Sequence, residues 1–303
     1  MTEASIPVDL FNPGQVFACL GFLEAANVLL GDAEGRFDWN DESRVCFHLR
    51  AKGLENPFSV ILDRIAIADV TWFSPSGEIK ERDGGKTIVT TGLSWSQKPS
   101  HADLPGEIVV QINDKERGIG LGFWADGSSR FATTFKKSTN GASSHIRLQN
   151  GLSAMIEILK TKKDETISQP LDQSIRTGSL FRLDPRGYAD PLNAGFSADK
   201  LRKGSIDVRF ATYPICELFA VVGLQHARPN RMSPHKFRYY VWGSRNTEDG
   251  FLPPVLARAG LGTPLRFLPH RCFEVEHQEV KKGGDRKMIS CKELTNPSTT
   301  MHD

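Results

Sequence analysis

Residues 12–29 read NPGQVFACLGFLEAANVL, and this stretch decides how the first half of the chain folds. Asn12 is a favoured N-cap, and Pro13 suits the first helical position because that position needs no backbone donor. The helix predicted over 14–30 is apolar on nearly every side, so we expect it to be buried. Gly31 then predicts where the helix ends.

The same pattern returns 202 residues later in the chain. A strand and a proline precede the helix in both places, and an alternating strand follows it. The small residues share one helix face, which lets a helix axis approach a sheet closely. Chance could produce the identities alone, but the shared setting favours a duplication. The identical pairs are Phe17 and Phe219, Ala18 and Ala220, Gly21 and Gly223, and Ala25 and Ala227.

A strand–helix–strand unit that occurs twice predicts an α+β fold with two ferredoxin-like (RRM-like) halves. The predicted halves are an N-terminal α+β half, 1–165, and a basic C-terminal α+β half, 175–292, followed by a disordered tail, 293–303. The boundary lies in the polar segment 161–174, TKKDETISQPLDQS, which a proline interrupts. A loop-rich insertion is predicted over 71–105, where Gly, Ser, Pro and charged residues dominate.

Composition places the chain among ordinary globular proteins and excludes several classes. Of its 303 residues, 39% are hydrophobic and 24% are charged. No apolar run is long enough to span a bilayer, and no secretory signal is visible, so we expect no membrane partner. Five scattered cysteines without a C-x-x-C pair argue against disulfides or a cysteine zinc site. We therefore expect a cytoplasmic protein without a metal or other cofactor.

The net charge of +2 conceals an asymmetry. Residues 201–303 contain 16 Lys/Arg and 10 Asp/Glu, a net of +6, so the first 200 residues carry a net of −4. Clustered cations gain free energy by displacing counterions from phosphates, which favours a polyanionic partner. The alternative is an ordinary surface whose cations are neutralised by acids from elsewhere in the fold.

Residues 236–242 read KFRYYVW and alternate as a strand does. A strand face that combines cations with aromatic rings can hold phosphates and stack bases, as single-stranded RNA binding requires. The alternative is a sheet strand packed on both sides. The predicted nucleic-acid-binding residues of this face are Lys236, Arg238, Tyr240 and Trp242, supported by Arg228, Arg231 and Arg245.

A second candidate phosphate contact is the loop 136–141, KKSTNG, which comes just before a predicted helix. Lys136, Lys137 and Arg147 would supply the cations, and the loop would supply hydroxyls and backbone donors. Polar surface loops of this kind are common, so an ordinary loop is the alternative.

Catalytic motifs are largely excluded by the sequence. There is no P-loop, the glycines near residue 120 lack dinucleotide-binding spacing, and the eight histidines form no H-E-x-x-H pattern. One enzymatic possibility stays open, because His226, His235 and His270 lie in the basic third of the chain. One of them could act as a general acid or base in RNA cleavage.

Residues 8–21, VDLFNPGQVFACLG, resemble the opening of the Csb-type subunit family from type I-U (also called I-G) CRISPR–Cas loci. The blocks 181–186, FRLDPR, 193–197, NAGFS, and 214–229 resemble later parts of that family. The segment 135–147 lacks the Trp of a family-typical Lys-Thr-Trp-Ala-Gly-type segment. No catalytic residue is carried over by the resemblance.

The resemblance implies a subunit of an antiviral interference complex (Cascade), built on ferredoxin-like cores. Its partners would be guide RNA, target DNA and other CRISPR effector subunits. Residues and resemblance together predict a non-catalytic RNA-binding subunit. The alternative is a guide-RNA-processing endoribonuclease that uses a histidine as general acid or base.

Overall fold

The computed structural model describes most of the chain and shows a mixture of helices and antiparallel strands, so the predicted α+β class is confirmed. The described residues are 1–73, 79–83, 86–90, 93–94, 109–114, 117–121, 123–124, 133–134, 144–176, 181, 183–187, 211–233, 235–243, 250–279 and 286–294.

The first elements form a three-stranded antiparallel sheet in the order β1-β3-β2. Asn12 caps the first helix, because its side chain accepts a hydrogen bond of 3.2 Å from the Gln15 amide. Every residue of that helix except Asn27 and Val28 is buried, as predicted. The elements are β1 (Thr2–Pro7), α1 (Pro13–Leu29), β2 (Glu34–Asp38), β3 (Cys46–Ala51) and α2 (Pro57–Ala66).

Short strands and two helices connect the two ends of the chain. The loop-rich insertion predicted over 71–105 lies partly outside the described residues. The elements here are β4 (Asp69–Phe73), β5 (Ile79–Asp83), β6 (Lys86–Thr90), β7 (Leu93–Ser94), β8 (Val109–Asp114), β9 (Arg117–Leu121), β10 (Phe123–Trp124), β11 (Thr133–Thr134), α3 (Ser144–Thr161), α4 (Lys163–Ser168) and β12 (Ile175–Arg176).

The last part of the chain builds a four-stranded antiparallel sheet in the order β14-β15-β16-β17. The final strand extends two residues into the segment predicted as a disordered tail, and 295–303 lie outside the described residues. The elements are β13 (Ala211–Thr212), α5 (Pro214–Gly223), β14 (Asn230–Ser233), β15 (Lys236–Trp242), α6 (Pro254–Gly262), β16 (His270–Glu279) and β17 (Arg286–Leu294).

The two repeated helices, α1 and α5, pack directly on each other. A Cβ atom on Gly21 would lie only 2.6 Å from the carbonyl carbon of Phe219. A Cβ atom on Gly223 would overlap the carbonyl oxygen of Phe17. Each repeated glycine therefore meets the repeated phenylalanine of the other helix. The small residues were expected to bring each helix close to a sheet; they bring the helices together instead.

One hydrophobic core includes residues from both ends of the chain. The ring of Phe22 stacks on that of Phe219 with centroids 3.7 Å apart, and the Trp242 indole meets Phe37 edge-on. Backbone bridges join Gly35 to Leu252 and Phe37 to Gly243, so β2 lies beside the residue that follows β15. The predicted division at 161–174 stays a prediction.

Candidate nucleic-acid interface

The central strand β15 places three of its predicted residues on the sheet face that points away from the core. Lys236, Arg238 and Tyr240 are each partly exposed, and they alternate with the buried Phe237, Tyr239 and Val241. The Phe17 ring of α1 packs against the rings of Phe237 and Tyr239 on the opposite face. We call the surface formed by Lys236, Arg238, Tyr240 and Lys292 the open face.

Tyr240 supplies the aromatic ring of the open face. It lies opposite Cys272 in the β15–β16 register, and its hydroxyl hydrogen-bonds to that cysteine. Partial burial, assisted by Cys272, raises the pKa of the Tyr240 hydroxyl above its usual value. The phenol therefore stays neutral at physiological pH and keeps a stacking surface without a negative charge.

The prediction that Trp242 belongs to this surface is wrong. Its side chain is only 1% exposed, and its indole nitrogen donates a hydrogen bond of 3.0 Å to the Gly35 carbonyl. A base cannot stack on a ring that already lies inside the core. The exposed positions end at the last residue of β15 because β2 and α6 pack against the Trp242 side chain.

Arg231 also lies away from the open face. It pairs with Phe237 in the β14–β15 register, and cross-strand partners share a sheet face, so Arg231 is on the core side. Asn230 pairs with Arg238 and takes the position on the open face instead. Arg228 is exposed in the connection between α5 and β14.

Four of the predicted cations have no described side-chain geometry. Arg245, Lys136 and Lys137 lie outside the described residues. Arg147 is in the first turns of α3, and its side chain also lies outside the described part of the chain. These four residues stay predictions.

Acidic partners neutralise much of the charge on the open face. Lys236 Nζ lies 3.4 Å from Glu276 Oε2, and Arg238 Nη2 lies 2.8 Å from Glu274 Oε2. Lys292 Nζ approaches Glu274 from the next strand at 3.3 Å. Hydrogen bonds from Arg238 and Lys292 hold the pKa of Glu274 below its ordinary value. Three cations against two carboxylates leave a net charge of +1 on this surface.

The same neutralisation occurs elsewhere in the basic third. Arg258 of α6 forms two short hydrogen bonds with Glu24 of α1, at 2.5 and 2.6 Å. Arg271 bonds Glu293 through two nitrogens and lies 3.7 Å from Glu42. Two of the cations that produced the +6, Arg258 and Arg271, therefore meet acids from the first 200 residues, as the alternative interpretation expected.

The histidines proposed as catalytic groups lie in different elements. His226 follows α5, where partial burial lowers its pKa, the nearby Glu24 opposes that shift and Arg258 adds to it. His235 is exposed at the start of the β15 hairpin. The His270 ring lies edge-on to Tyr240, with centroids 6.0 Å apart, so it borders the open face.

A buried polar network that was not predicted joins the start of α1 to the segment 183–187. The Asn12 amide donates to Asp184, which is fully buried, at 3.0 Å, and Arg186 holds the same carboxylate through two side-chain nitrogens. Glu217 of α5 accepts hydrogen bonds from the Leu183 and Asp184 amides. In the sequence, Asp184 and Arg186 stand out only as part of block 181–186, which carries the resemblance.

The network borders a cleft of about 360 Å³ between the β1–α1 connection and residues 42–45. Arg186 contributes to its wall and also packs over the Tyr213 ring at 3.8 Å. The first turn of α1 is closed by protein, since a Cβ atom on Gly14 would lie 2.7 Å from the Leu183 carbonyl oxygen. We therefore interpret the network as a structural joint between the two ends of the chain.

Within the described ranges, no group of three or more His, Cys, Asp or Glu residues is arranged to hold a metal ion. Among the same residues, no helix is long and apolar enough to cross a membrane.

No protein-family model, no curated protein and no solved structure matches this chain. Function is therefore inferred from the residues, their geometry and the resemblance described above.

Proposed function

We propose that this chain is a non-catalytic RNA-binding subunit of a type I CRISPR antiviral interference complex. It contacts guide RNA, target DNA or both, and it assembles with other effector subunits in the cytoplasm. The observation that carries the proposal is the open face, where Lys236, Arg238 and Tyr240 stand side by side on a central strand.

The open face suits a single strand of nucleic acid for two physical reasons. Guanidinium and ammonium groups attract backbone phosphates, and an aromatic ring offers a stacking surface that accepts any base. An antiparallel sheet presents these groups at regular intervals on one side while its other side packs on helices. The ion pairs to Glu274 and Glu276 hold Arg238 and Lys236 in place, and phosphates can replace those carboxylates.

We also propose that the two halves derive from a duplicated ferredoxin-like unit. The antiparallel order β1-β3-β2 around α1 is the order that a ferredoxin-like unit gives its first three strands. The reciprocal contacts of Gly21 with Phe219 and of Gly223 with Phe17 support a two-fold relation between the halves. In the second half β13 pairs with β12 and not with β15, which departs from that topology.

The resemblance to CRISPR subunits gains support from where its motifs lie. Block 8–21 and block 181–186 come from distant parts of the sequence, yet Asn12 bonds Asp184 directly. Block 214–229 joins them through Glu217, which accepts from the Asp184 amide. Motifs that share one joint would be retained together in a family that keeps this fold.

The double variant Lys236→Ala/Arg238→Ala is expected to bind single-stranded RNA roughly tenfold more weakly, equivalent to about 1.4 kcal/mol. The plot of log affinity against log salt should become shallower by about 1.4, because two phosphate contacts are lost. Fluorescence anisotropy over a salt series measures both quantities. Lys162→Ala/Lys163→Ala is the matched control, since these exposed lysines of the α4 region are also ion-paired. Equal affinity and slope in both double variants would refute the assignment of the open face.

Glu274→Gln is expected to strengthen RNA binding. The change removes the carboxylate that neutralises Arg238 and Lys292 while keeping the side chain's size. Affinity should rise several-fold at low salt, and the rise should disappear at high salt because it is electrostatic. Glu165→Gln on α4 is the control, since Glu165 also pairs with a lysine but lies far from β15 in the sequence. Unchanged or weaker binding by Glu274→Gln would contradict the proposal.

The enzymatic alternative has a distinct experimental signature. Cleavage of repeat RNA by the isolated chain in the presence of a metal chelator would show an endoribonuclease. Loss of that cleavage in one of the variants His226→Ala, His235→Ala or His270→Ala would identify the general acid or base. The proposed function expects RNA that stays intact throughout.

A further inference from the structure

Arg36, in the middle of β2, is a buried charge whose partners are incomplete. The residue is 5% exposed. Within the part of the chain that the structure describes, neither Nε nor Nη1 of Arg36 has a hydrogen-bond partner. A buried guanidinium that lacks hydrogen bonds costs several kcal/mol compared with one in water. Such a group needs an explanation, and a missing anion provides one.

Basic and acidic side chains share the outer side of the β1-β3-β2 sheet around Arg36, where Arg50 and His48 are paired with Glu3, Glu34 and Asp38. Arg36 lies opposite His48 in the β2–β3 register, and Arg50 lies two residues further along β3. The guanidinium carbons of Arg36 and Arg50 lie 4.8 Å and 3.6 Å from the centroid of the same ring, that of Phe251. Arg50 is already paired with Glu3 and lies 4.0 Å from Glu34, so Arg36 is the guanidinium that an added anion would pair.

The nearby carboxylates are already engaged by other groups. Glu3 accepts hydrogen bonds from His48 at 2.9 Å and from Arg50 at 3.1 Å. Partial burial raises the pKa of Glu3, but these two hydrogen bonds outweigh burial and lower it below its ordinary value. Asp38 accepts from the Asn40 amide at 3.0 Å. These acids therefore satisfy His48 and Arg50 and leave Arg36 without a carboxylate among the described residues.

We propose that Arg36 and Arg50 form a phosphate-binding site on the outer side of the β1-β3-β2 sheet. A phosphate group has enough acceptor oxygens for two guanidinium groups at once, and guanidinium geometry matches them in pairs. Phe251 is partly exposed and covers Arg36, so its ring would turn aside when the phosphate enters. The phosphate belongs either to an RNA backbone or to a free nucleotide. If the phosphate belongs to an RNA backbone, the inference rests on the proposed function. If it belongs to a free nucleotide, the inference is independent of that function.

Thermal unfolding of the full-length protein tests the site with three probes: inorganic phosphate, uridine monophosphate and a short single-stranded RNA. The wild-type melting temperature should rise by about 3 °C at a ligand concentration ten times Kd. Arg36→Met should abolish the rise. Without ligand, this variant should melt at the same temperature as the wild type or higher, because an apolar side chain replaces an unpaired buried charge. Lys160→Met on α3 is the control and should keep the full response, since Lys160 is exposed.

Arg50→Gln provides a second variant in case Arg36→Met folds poorly. Arg50 is 32% exposed, so its replacement should leave the fold intact and reduce the phosphate response. No response of the wild type to any probe would overturn the site. If folded Arg50→Gln showed the same rise in melting temperature with phosphate as the wild type, the site would also be overturned.

The three probes separate this inference from the proposed function. A response to phosphate and nucleotide without RNA binding supports the site and contradicts the proposed function. RNA binding that depends on Lys236 and Arg238 but not on Arg36 or Arg50, with no response to the small probes, overturns the site and leaves the proposed function standing.

Discussion

Gly21→Ala is expected to prevent the chain from reaching this fold. The added Cβ atom would lie 2.6 Å from the Phe219 carbonyl carbon and would overlap the carbonyl oxygen. The obstacle is helix backbone, so a side-chain rotation cannot relieve it. Small-to-large changes in a packed core usually cost about 1–3 kcal/mol, and we expect this one to exceed that range because α1 and α5 must separate.

Urea unfolding of the soluble full-length protein measures the effect, and loss of soluble protein counts as the extreme case. Gly223→Ala should behave similarly, since its Cβ atom would overlap the Phe17 carbonyl oxygen and lie 2.8 Å from the Gly21 amide. Asn27→Ala is the control on the same helix, because Asn27 is exposed and alanine favours helix. A Gly21→Ala protein as stable as Asn27→Ala would show that the helices do not cross as described.

Asp184→Ala is expected to lower the free energy of unfolding by about 3 kcal/mol, the cost typical of breaking a buried ion pair. Asp184 is fully buried, and Arg186 reaches it at 2.7 Å. Among the described residues, removing the carboxylate leaves Arg186 with Asp172 and the Leu171 carbonyl as its side-chain hydrogen-bond partners. It also removes the acceptor of the Asn12 amide, so the joint between α1 and the segment 183–187 is lost.

Chemical denaturation compares Asp184→Ala with Asp63→Ala. Asp63 forms an exposed ion pair with Lys163, and exposed pairs contribute about 0–1 kcal/mol. Both variants remove an aspartate carboxylate, one from a buried ion pair and one from an exposed ion pair. The difference between their free energies of unfolding therefore measures what the buried network contributes to stability. Equal stability of the two would contradict the role given to Asp184.

Local signals in the sequence predicted the main elements well. The cap at Asn12, the apolar surface of α1 and the alternation of β15 are each encoded within a few adjacent residues, and all three are confirmed. Two strong short-range patterns, a capped helix and a period-2 strand, identify an element without knowledge of its neighbours.

The contacts between distant residues were not predictable in the same way. Trp242 alternates correctly along β15, yet β2 buries it, and β2 lies some 200 residues earlier in the chain. Nothing in the sequence indicated that Arg258 is paired, because its partner Glu24 lies in α1, 234 residues away. Arg36 carried no sequence signal at all, because the burial of its unpartnered nitrogens depends on residues that are distant in the sequence.

The exposure of the β15 side chains was therefore predictable for some residues and not for others, for one physical reason. Periodicity fixes which side of a strand a residue occupies, and it placed Lys236, Arg238 and Tyr240 together on an accessible surface. It does not fix what covers that side or which acids face it. Those depend on long-range packing, which set the exposure of Trp242 and the pairing of Arg238 with Glu274.

The most direct test of the central claim is crosslinking of the protein to nucleic acid in material isolated from its native host. The protein is purified with its bound partners and irradiated with ultraviolet light, and mass spectrometry then locates the residues that carry nucleotides. We expect a short bound RNA of repeat–spacer form, other effector subunits and crosslinks at Tyr240. Protein free of nucleic acid, or crosslinks confined to surfaces other than the open face, would contradict the central claim.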